Sequence, residues 1–330
     1  MTAFKLRNQL LVFISIAFIS GSTLAQTLSK LEVGYPAKPL RLVVPFPAGG
    51  PTDTLARVVA QKLIDAWGQQ VVVDNRGGAN GIIGQDIVAK APADGHTLLM
   101  QSVAFAINPL LYSLPYQSEK DFLPVSLIAS TSLVLVAHPS VAAKSVKDLV
   151  ALAKSKPGEL NYASFGQGSI AHLAGEMFKV RAGINAVHVP YKGVPQALGD
   201  LIAARVQFMF PGISSALPHI DAGRLRGLAV TSRERSILAL TLPTMLESGI
   251  NNYEVGSWFG TFLPAGSPET IVRKLNLEIA AVVAQPEVTQ QFLKQGFEAA
   301  ANSPADFRVF IRAESQKFSQ VIKQSGVKVE

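Results

Sequence analysis

The 330-residue chain contains no cysteine. That absence excludes a disulfide framework, thiolate metal ligation, a cysteine nucleophile and a lipidated N-terminal cysteine. Charge is also sparse, at 16% of residues, and the basic residues form no run that would mark a nucleic-acid stripe. His96, His138 and His219 lie far apart and make no metal-ligand spacing. Neither GxxxxGK[ST] nor GxGxxG occurs at the glycine-rich turns, so nucleotide binding is not indicated. No paired-carboxylate motif for acid–base chemistry is found, and no short tandem repeat. The expectation is a chain without metal, cofactor or nucleic-acid partner.

What is present is a large apolar fraction, 48% of residues, enough for a packed core in an ordinary two-domain length. The first 25 residues read as a cleaved secretory signal. Lys5 and Arg7 supply the positive region, Leu10 to Ile19 is apolar apart from Ser15, and Ser22-Thr23-Leu24-Ala25 offers a cleavage site after Ala25. The apolar run is too short for a membrane span, which needs about 20 residues. Without Lys5 and Arg7, 28 basic residues face 23 acidic ones, a net +5. Such a mild positive field favours small anions in an exported compartment.

Strand-like and helix-like segments alternate along the rest. Buried-strand patterns lie at 40–46, 70–75, 96–102, 133–139, 160–165, 186–191, 206–210, 225–231 and 257–264. Helical patterns separate them, the first over Thr54 to Trp67 with Leu55, Val58, Val59 and Leu63 on one face. Two more helices, around 268–284 and 304–324, close the chain. This alternation predicts an α/β fold with parallel, doubly wound sheets. Two candidate crossings between domains lie near 137–140 and 254–256.

Four turns carry the candidate chemistry. The first, Phe46-Pro47-Ala48-Gly49-Gly50-Pro51-Thr52-Asp53, follows a strand and opens a helix. Glycines let backbone N–H groups approach an anion, and the helix start adds unpaired donors. Thr52 or Asp53 is the expected cap. The second, Asn75 to Gly81, repeats the design and carries Arg76. The third, Ser164-Phe165-Gly166-Gln167-Gly168-Ser169, again precedes a helix, with Ser169 at the cap position. Ser169 lies near His172, but this is not GxSxG, and a helical i,i+3 pair lacks nucleophile–base geometry. His172 therefore reads as structural. In the fourth, His188-Val189-Pro190-Tyr191-Lys192-Gly193-Val194-Pro195, Tyr191 is able to stack on a ligand and Lys192 to supply charge. Repeated anion-ready turns without a catalytic set point to binding without chemistry.

Several stretches together resemble one family. YPAKPLRLVVPFPAGGPTD, VVVDNRGGANGIIG, PADGHTLLM, AINPLLY and LPYQSEKDFLPV come first. NYASFGQGSIAHLAGEMF, HVPYKGVPQALGDLIAARVQFMF, SSALPHIDAGRLRGLAVTS, SWFGTFLPAGSP and FRVFIRAES follow in order. The pattern is similar to the Bug family, the periplasmic solute receptors of tripartite tricarboxylate transporters. The resemblance implies a two-lobe periplasmic-binding-protein fold, in which a small carboxylate sits in the cleft and is passed to membrane subunits. It divides the chain into lobe 1, residues 36–138 plus 257–330, and lobe 2, residues 139–256. It also implies a ligand site at Phe46, Ala48, Gly49, Gly50, Thr52 and Asp53 in one lobe. Ser164, Gly166, Gly168 and Ser169 are implied in the other, with Tyr191, Lys192 and Gly193 beside them. The expected protein is a non-enzymatic, monomeric periplasmic receptor. A receptor that presents its ligand-bound form to a membrane sensor, or a secreted hydrolase using Ser169, are the alternatives. The sequence departs from the family pattern at Pro211, where a polar residue is usual. Gln101, Ser102, Phe105 and Asn108 bear on ligand choice if their segment faces the cleft.

Overall fold

The computed structural model describes residues 34–328, so the signal-peptide expectation for residues 1–25 lies outside the described residues. Two mixed sheets organise the chain. The first contains β1 (Leu40–Val44), β2 (Val71–Asn75), β3 (Thr97–Ser102), β4 (Phe122–Ser132), β10 (Gly256–Pro264) and β11 (Glu298–Ala299), in the order β11-β4-β10-β3-β1-β2. The second contains β5 (Val134–Ala137), β6 (Asn161–Ser164), β7 (Val187–Pro190), β8 (Phe208–Met209) and β9 (Arg226–Val230), in the order β7-β6-β8-β5-β9. The chain passes between sheets at Leu133 and at Val255. Strand β5 (Val134–Ala137), which the expected crossing near 137–140 leaves in the first lobe, hydrogen-bonds within the second sheet.

The helices are α1 (Pro51–Trp67), α2 (Ile82–Ala89), α3 (Ala104–Leu111), α4 (Val146–Ser155), α5 (Ile170–Ala182), α6 (Val194–Ile202), α7 (Ile213–Asp221), α8 (Glu269–Val283), α9 (Pro286–Lys294) and α10 (Pro304–Ser325). Among the described residues no helix is long and apolar enough to cross a membrane.

The expectation of wholly parallel sheets fails at particular strands, and for a geometric reason. β1, β2 and β3 pair in parallel, whereas β10 runs antiparallel to both β3 and β4. In the second sheet β6, β7 and β8 are parallel, and β5 runs against β8 and β9. β5 and β10 are the strands that leave the crossovers. A strand that starts at a crossover must run away from it. The parallel strands all run toward it: Ser102 at the end of β3 pairs near the start of β10, opposite Phe259. Likewise Val134 at the start of β5 takes a hydrogen bond to Pro211 O, just past β8, at 2.9 Å. The turns that follow β1, β2, β3, β6, β7 and β8 therefore all lie on the crossover side of the molecule.

Side-chain alternation fills the layers. Leu40, Leu42 and Val44 of β1 pack under α1, α8 and α9 with Leu55, Val59, Ile279 and Phe292. Val43 points the other way, into a core that continues into the second sheet through Phe262, Phe307, Phe318, Leu173, Phe178 and Phe208. Helix α10 lies along this shared core. Phe307 meets Trp258 and Phe262 of β10, while farther on the helix packs against α5. The closing helix thus packs on the first sheet and also on α5, a helix of the second unit.

Elements with internal proline escaped the sequence reading: β4 contains Pro124, α3 contains Pro109 and α7 contains Pro218. Proline lowers both helix and strand expectation, and here packing overrides it.

Both crossovers meet at Thr231, which is fully buried. Its hydroxyl accepts from Leu133 N at 2.9 Å and donates toward Leu133 O at 3.0 Å and Val255 O at 2.5 Å. Its own N–H donates to Leu133 O at 3.0 Å, and Val255 N–H donates to Thr231 O at 3.1 Å. Thr231→Val keeps the shape and removes the hydroxyl, stranding Leu133 N–H and Val255 O. The expected loss is about 2 kcal/mol in urea unfolding. A change below about 0.5 kcal/mol, within the range of neutral surface substitutions, would show that the clasp contributes little.

Candidate functional site

Strand β1 stops at Pro45, and α1 begins at Pro51, three residues before the expected Thr54. Proline fits the first helical turn because its φ is preset and it lacks the N–H that would go unpaired there. Gly50 is the N-cap, so neither Thr52 nor Asp53 fills that role. Asp53 instead reaches back from the first turn. Its Oδ2 accepts Gly49 N–H at 2.8 Å and Arg57 Nε at 2.9 Å, and its Oδ1 accepts Asn75 Nδ2 at 3.0 Å. Asn75 also donates to Phe46 O at 3.1 Å. One carboxylate, 2% exposed, thereby holds the turn from both sides. It fixes Gly49 at φ +77°, a left-handed conformation that favours glycine.

This bonding decides which donors the turn can offer. Gly49 N–H is held by Asp53, and Gly50 N–H by Pro47 O at 3.3 Å. The N–H groups of Ala48, Thr52 and Asp53 have no acceptor among the described residues, and neither does the Thr52 hydroxyl. Phe46 is partly buried and Ala48 exposed. The second turn, 76–81, braces the first. Gly77 lies against Phe46 and Pro47, and Arg76 pairs with Asp74 at 2.8 Å.

Gln101, Phe105 and Asn108 are buried and engaged by neighbouring residues. Gln101 donates to Gln85 Oε1 at 3.1 Å, Asn108 donates to Asn80 O at 3.0 Å, and the Phe105 ring stacks on Phe262 at 4.1 Å. Ser102 is partly exposed, and its hydroxyl accepts Ala104 N–H at 3.3 Å.

In the second sheet the turn after β6 is held by local bonds. Ser164 is fully buried, and its hydroxyl lies 2.7 Å from His188 Nε2 and 3.0 Å from Gly166 O. Gly166 N–H donates to Ser164 Oγ at 3.2 Å, and Gly168 N–H to His172 Nδ1 at 3.1 Å. Ser169 caps α5 as expected, its hydroxyl accepting His172 N–H at 3.3 Å. The Ser169 and His172 side chains share no hydrogen bond, so the nucleophile–base pair of the hydrolase alternative is not formed. Gln167 N–H, Ile170 N–H and Ala171 N–H have no acceptor among the described residues.

Tyr191 N–H donates to Ser164 O at 3.0 Å, bringing the fourth turn against the third. The Tyr191 hydroxyl is occupied by Asp200 Oδ2 at 2.8 Å, so its ring is the part left for a ligand. Lys192 is exposed and makes no ion pair among the described residues. Gly193 caps α6, and Gly212 caps α7 beside Pro211, whose carbonyl accepts Val134 N–H. Pro211 is thus a buried crossover residue. A separate groove is lined by Lys144, Lys147, Thr241, Pro243 and Ser248. Among the described residues no cluster could hold a metal ion.

The turns are held by Arg57, Asn75 and His188, a role that the sequence pattern does not reveal for any of the three. Asn75 sat beside the glycines and was the most accessible signal. Arg57 reaches Asp53 by i,i+4 spacing on α1, whereas Asn75 and His188 meet their partners through the pairing of β1 with β2 and of β6 with β7.

Burial alone would raise the Asp53 pKa. Hydrogen bonds from Arg57, Gly49 and Asn75, and the Arg57 charge, outweigh it and hold the carboxyl below its ordinary value. A depressed carboxyl stabilises the fold above the unfolded pKa, about 4, and loses that contribution as pH falls through the folded value. Asp53→Ala should cost about 2 kcal/mol at pH 7 by leaving its donors unpaired. The gap from wild type, followed by thermal melting, should stay constant above about pH 5 and shrink below about pH 4. A gap that widens on acidification would contradict this assignment.

The sequence model of the tripartite tricarboxylate transporter family receptor matches residues 55–327. The chain is similar to R. palustris Rpa4515, solved with adipate, at 36% identity and a TM-score of 0.80, covering 89% of this chain and 99% of that one. It is similar to the periplasmic binding protein BugD at 33% identity and a TM-score of 0.76, covering 90% and 100%. MatC from Rhodopseudomonas palustris, with bound malate, is 29% identical with a TM-score of 0.74, covering 87% and 100%.

Proposed function

We propose, on the premise that this chain belongs to the tripartite tricarboxylate transporter receptor family, that it captures a small dicarboxylate between two lobes and passes it to membrane permease subunits. The family consists of solute-binding receptors with the periplasmic-binding-protein fold. For this chain the reading adds export through residues 1–25, release of an unaltered cargo, and lobes that meet at Leu133 and Val255.

The observation that carries it is the set of unpaired donors at the start of α1: the N–H groups of Thr52 and Asp53 and the Thr52 hydroxyl. A helix N-terminus with unpaired N–H groups is an anion site that needs no buried cation. Gln167, Ile170 and Ala171 offer further free N–H groups on the crossover side of the second sheet, near the unpaired Lys192. Two donor sets suit two carboxylates, and the relatives with adipate and malate each bind a compound of that class. Water is able to bridge the shorter diacids at small cost. Rotation about the two crossovers would bring the sets onto the ligand, which then selects the closed state by its extra contacts there.

Titration calorimetry on the chain without residues 1–25 should show one-to-one binding of adipate or malate, and mass spectrometry should recover the acid unchanged. Lys192→Gln should weaken that affinity about tenfold, or about 1.4 kcal/mol, and flatten its salt dependence. No heat with any mono-, di- or tricarboxylate would overturn the proposal, as would turnover of the bound acid.

A further inference from the structure

Helix α5 and strand β7 bring two histidines together behind the 164–169 turn. The rings of His172 and His188 stack face to face, 3.8 Å apart and tilted by 8°. Tyr162 of β6 lies against His188 at 5.0 Å, and His172 is 5% exposed. The stack is more than packing, because each ring bonds to the turn. His188 Nε2 meets Ser164 Oγ, and His172 Nδ1 receives the Gly168 N–H. Gly168 is held at φ +71°, where most other residues are strained.

An N–H donor at Nδ1 requires a lone pair there. A charged imidazole has none, since both nitrogens then carry protons. His172 must therefore be the neutral tautomer with its proton on Nε2. Two stacked cations at this separation would also repel.

We propose that His172 is a positioning residue for ligand capture: its unprotonated Nδ1, oriented by the stack on His188, fixes the Gly168 peptide and so aims the N–H groups of Gln167, Ile170 and Ala171. The proposal rests on the dicarboxylate reading for the identity of the ligand, but not for the geometry of the turn.

The surroundings favour the neutral form. Burial, with the Lys179 charge second, lowers the His172 pKa to about 4. His188 is lowered to about 4 by burial, then by His172 and Lys179, with Glu176 opposing. Glu176 is itself engaged by Tyr162 OH at 2.5 Å and Lys179 at 2.7 Å. Tyr253, beside the second crossover, donates to Ala174 O at 2.8 Å. From α10, packed along α5, come Glu314 and Lys317, paired with each other at 2.5 Å. A histidine whose folded pKa lies below the unfolded value loses its stabilising contribution as pH falls from about 6.5 toward the folded value.

Two arms test this. In the first, ¹⁵N spectra of the ligand-free protein should show the His172 ring with an unprotonated Nδ1 and a protonated Nε2 down to about pH 5. The Gly168 amide shift should titrate with that ring. A proton on Nδ1 at pH 7, or a Gly168 amide indifferent to His172 titration, overturns the proposal. In the second arm, calorimetry with adipate and with malate compares two substitutions. His172→Asn keeps an acceptor near Nδ1, and His172→Leu removes it. Both lose the aromatic stack, so both should melt lower. The Asn variant should bind within about threefold of wild type, and the Leu variant at least tenfold more weakly (about 1.4 kcal/mol). Equal affinities of the two variants, whether both weak or both intact, would also overturn it. If wild type binds neither acid, the dicarboxylate reading fails on its own, and the spectroscopic arm still decides the role of His172.

Discussion

The direction of the strands at the two crossovers is the constraint on which the rest depends. Among the described residues, only the strands that leave a crossover, β5 and β10, and the two-residue β11 run against their sheets. The others run toward the crossover side, where β1, β2, β3, β6, β7 and β8 end in turns and β4 continues directly into the crossover at Leu133. In α/β sheets the carboxyl ends of parallel strands gather the turns and helix N-termini. Two sheets joined in this way bring both gatherings to the same side. Thr231 secures the junction, since one side chain bonds to both passing segments. Chain direction thus decides where the turns gather, and the side chains around them refine a position that the topology has already chosen.

A second principle acts within each turn. Glycine-rich loops are entropically costly to hold in one shape. Here each is held by a buried polar side chain that satisfies glycine N–H groups: Asp53 for Gly49, His172 for Gly168. The two holders differ in charge but share a requirement, an acceptor in the deprotonated form. What remains unpaired is the first turn of the following helix. Those backbone donors, the partial charge of the helix start and the exposed Lys192 are what the turns leave available to an anion.

Much was legible in the chain. The apolar strands, the glycine turns after them and the Ser169 cap are local features, fixed by periodicity and by hydrogen bonds a few residues long. Gly49 and Gly50 were the most conspicuous residues of the first turn, yet their N–H groups are occupied, and Ala48, Thr52 and Asp53 are left as donors. The bonds to Gly49 and Gly50 are local, but the carboxylate that holds Gly49 is itself fixed by Asn75, which arrives only when β2 pairs with β1. The proline-bearing β4, α3 and α7 were hidden for a similar reason, since their propensity is poor and their packing good.

The sequence by itself determined the fold class, the turns and the family to which the chain belongs, because each depends on short patterns repeated along nearly its whole length. Tertiary structure alone decided the antiparallel course of β5 and β10, the packing of α10 on both the first sheet and α5, and the burial of Gln101, Phe105 and Asn108. It also decided that His172 acts through Nδ1 on Gly168 while stacked on His188. These depend on partners distant in sequence, on chain direction and on the stacking of whole elements, and no local pattern encodes them.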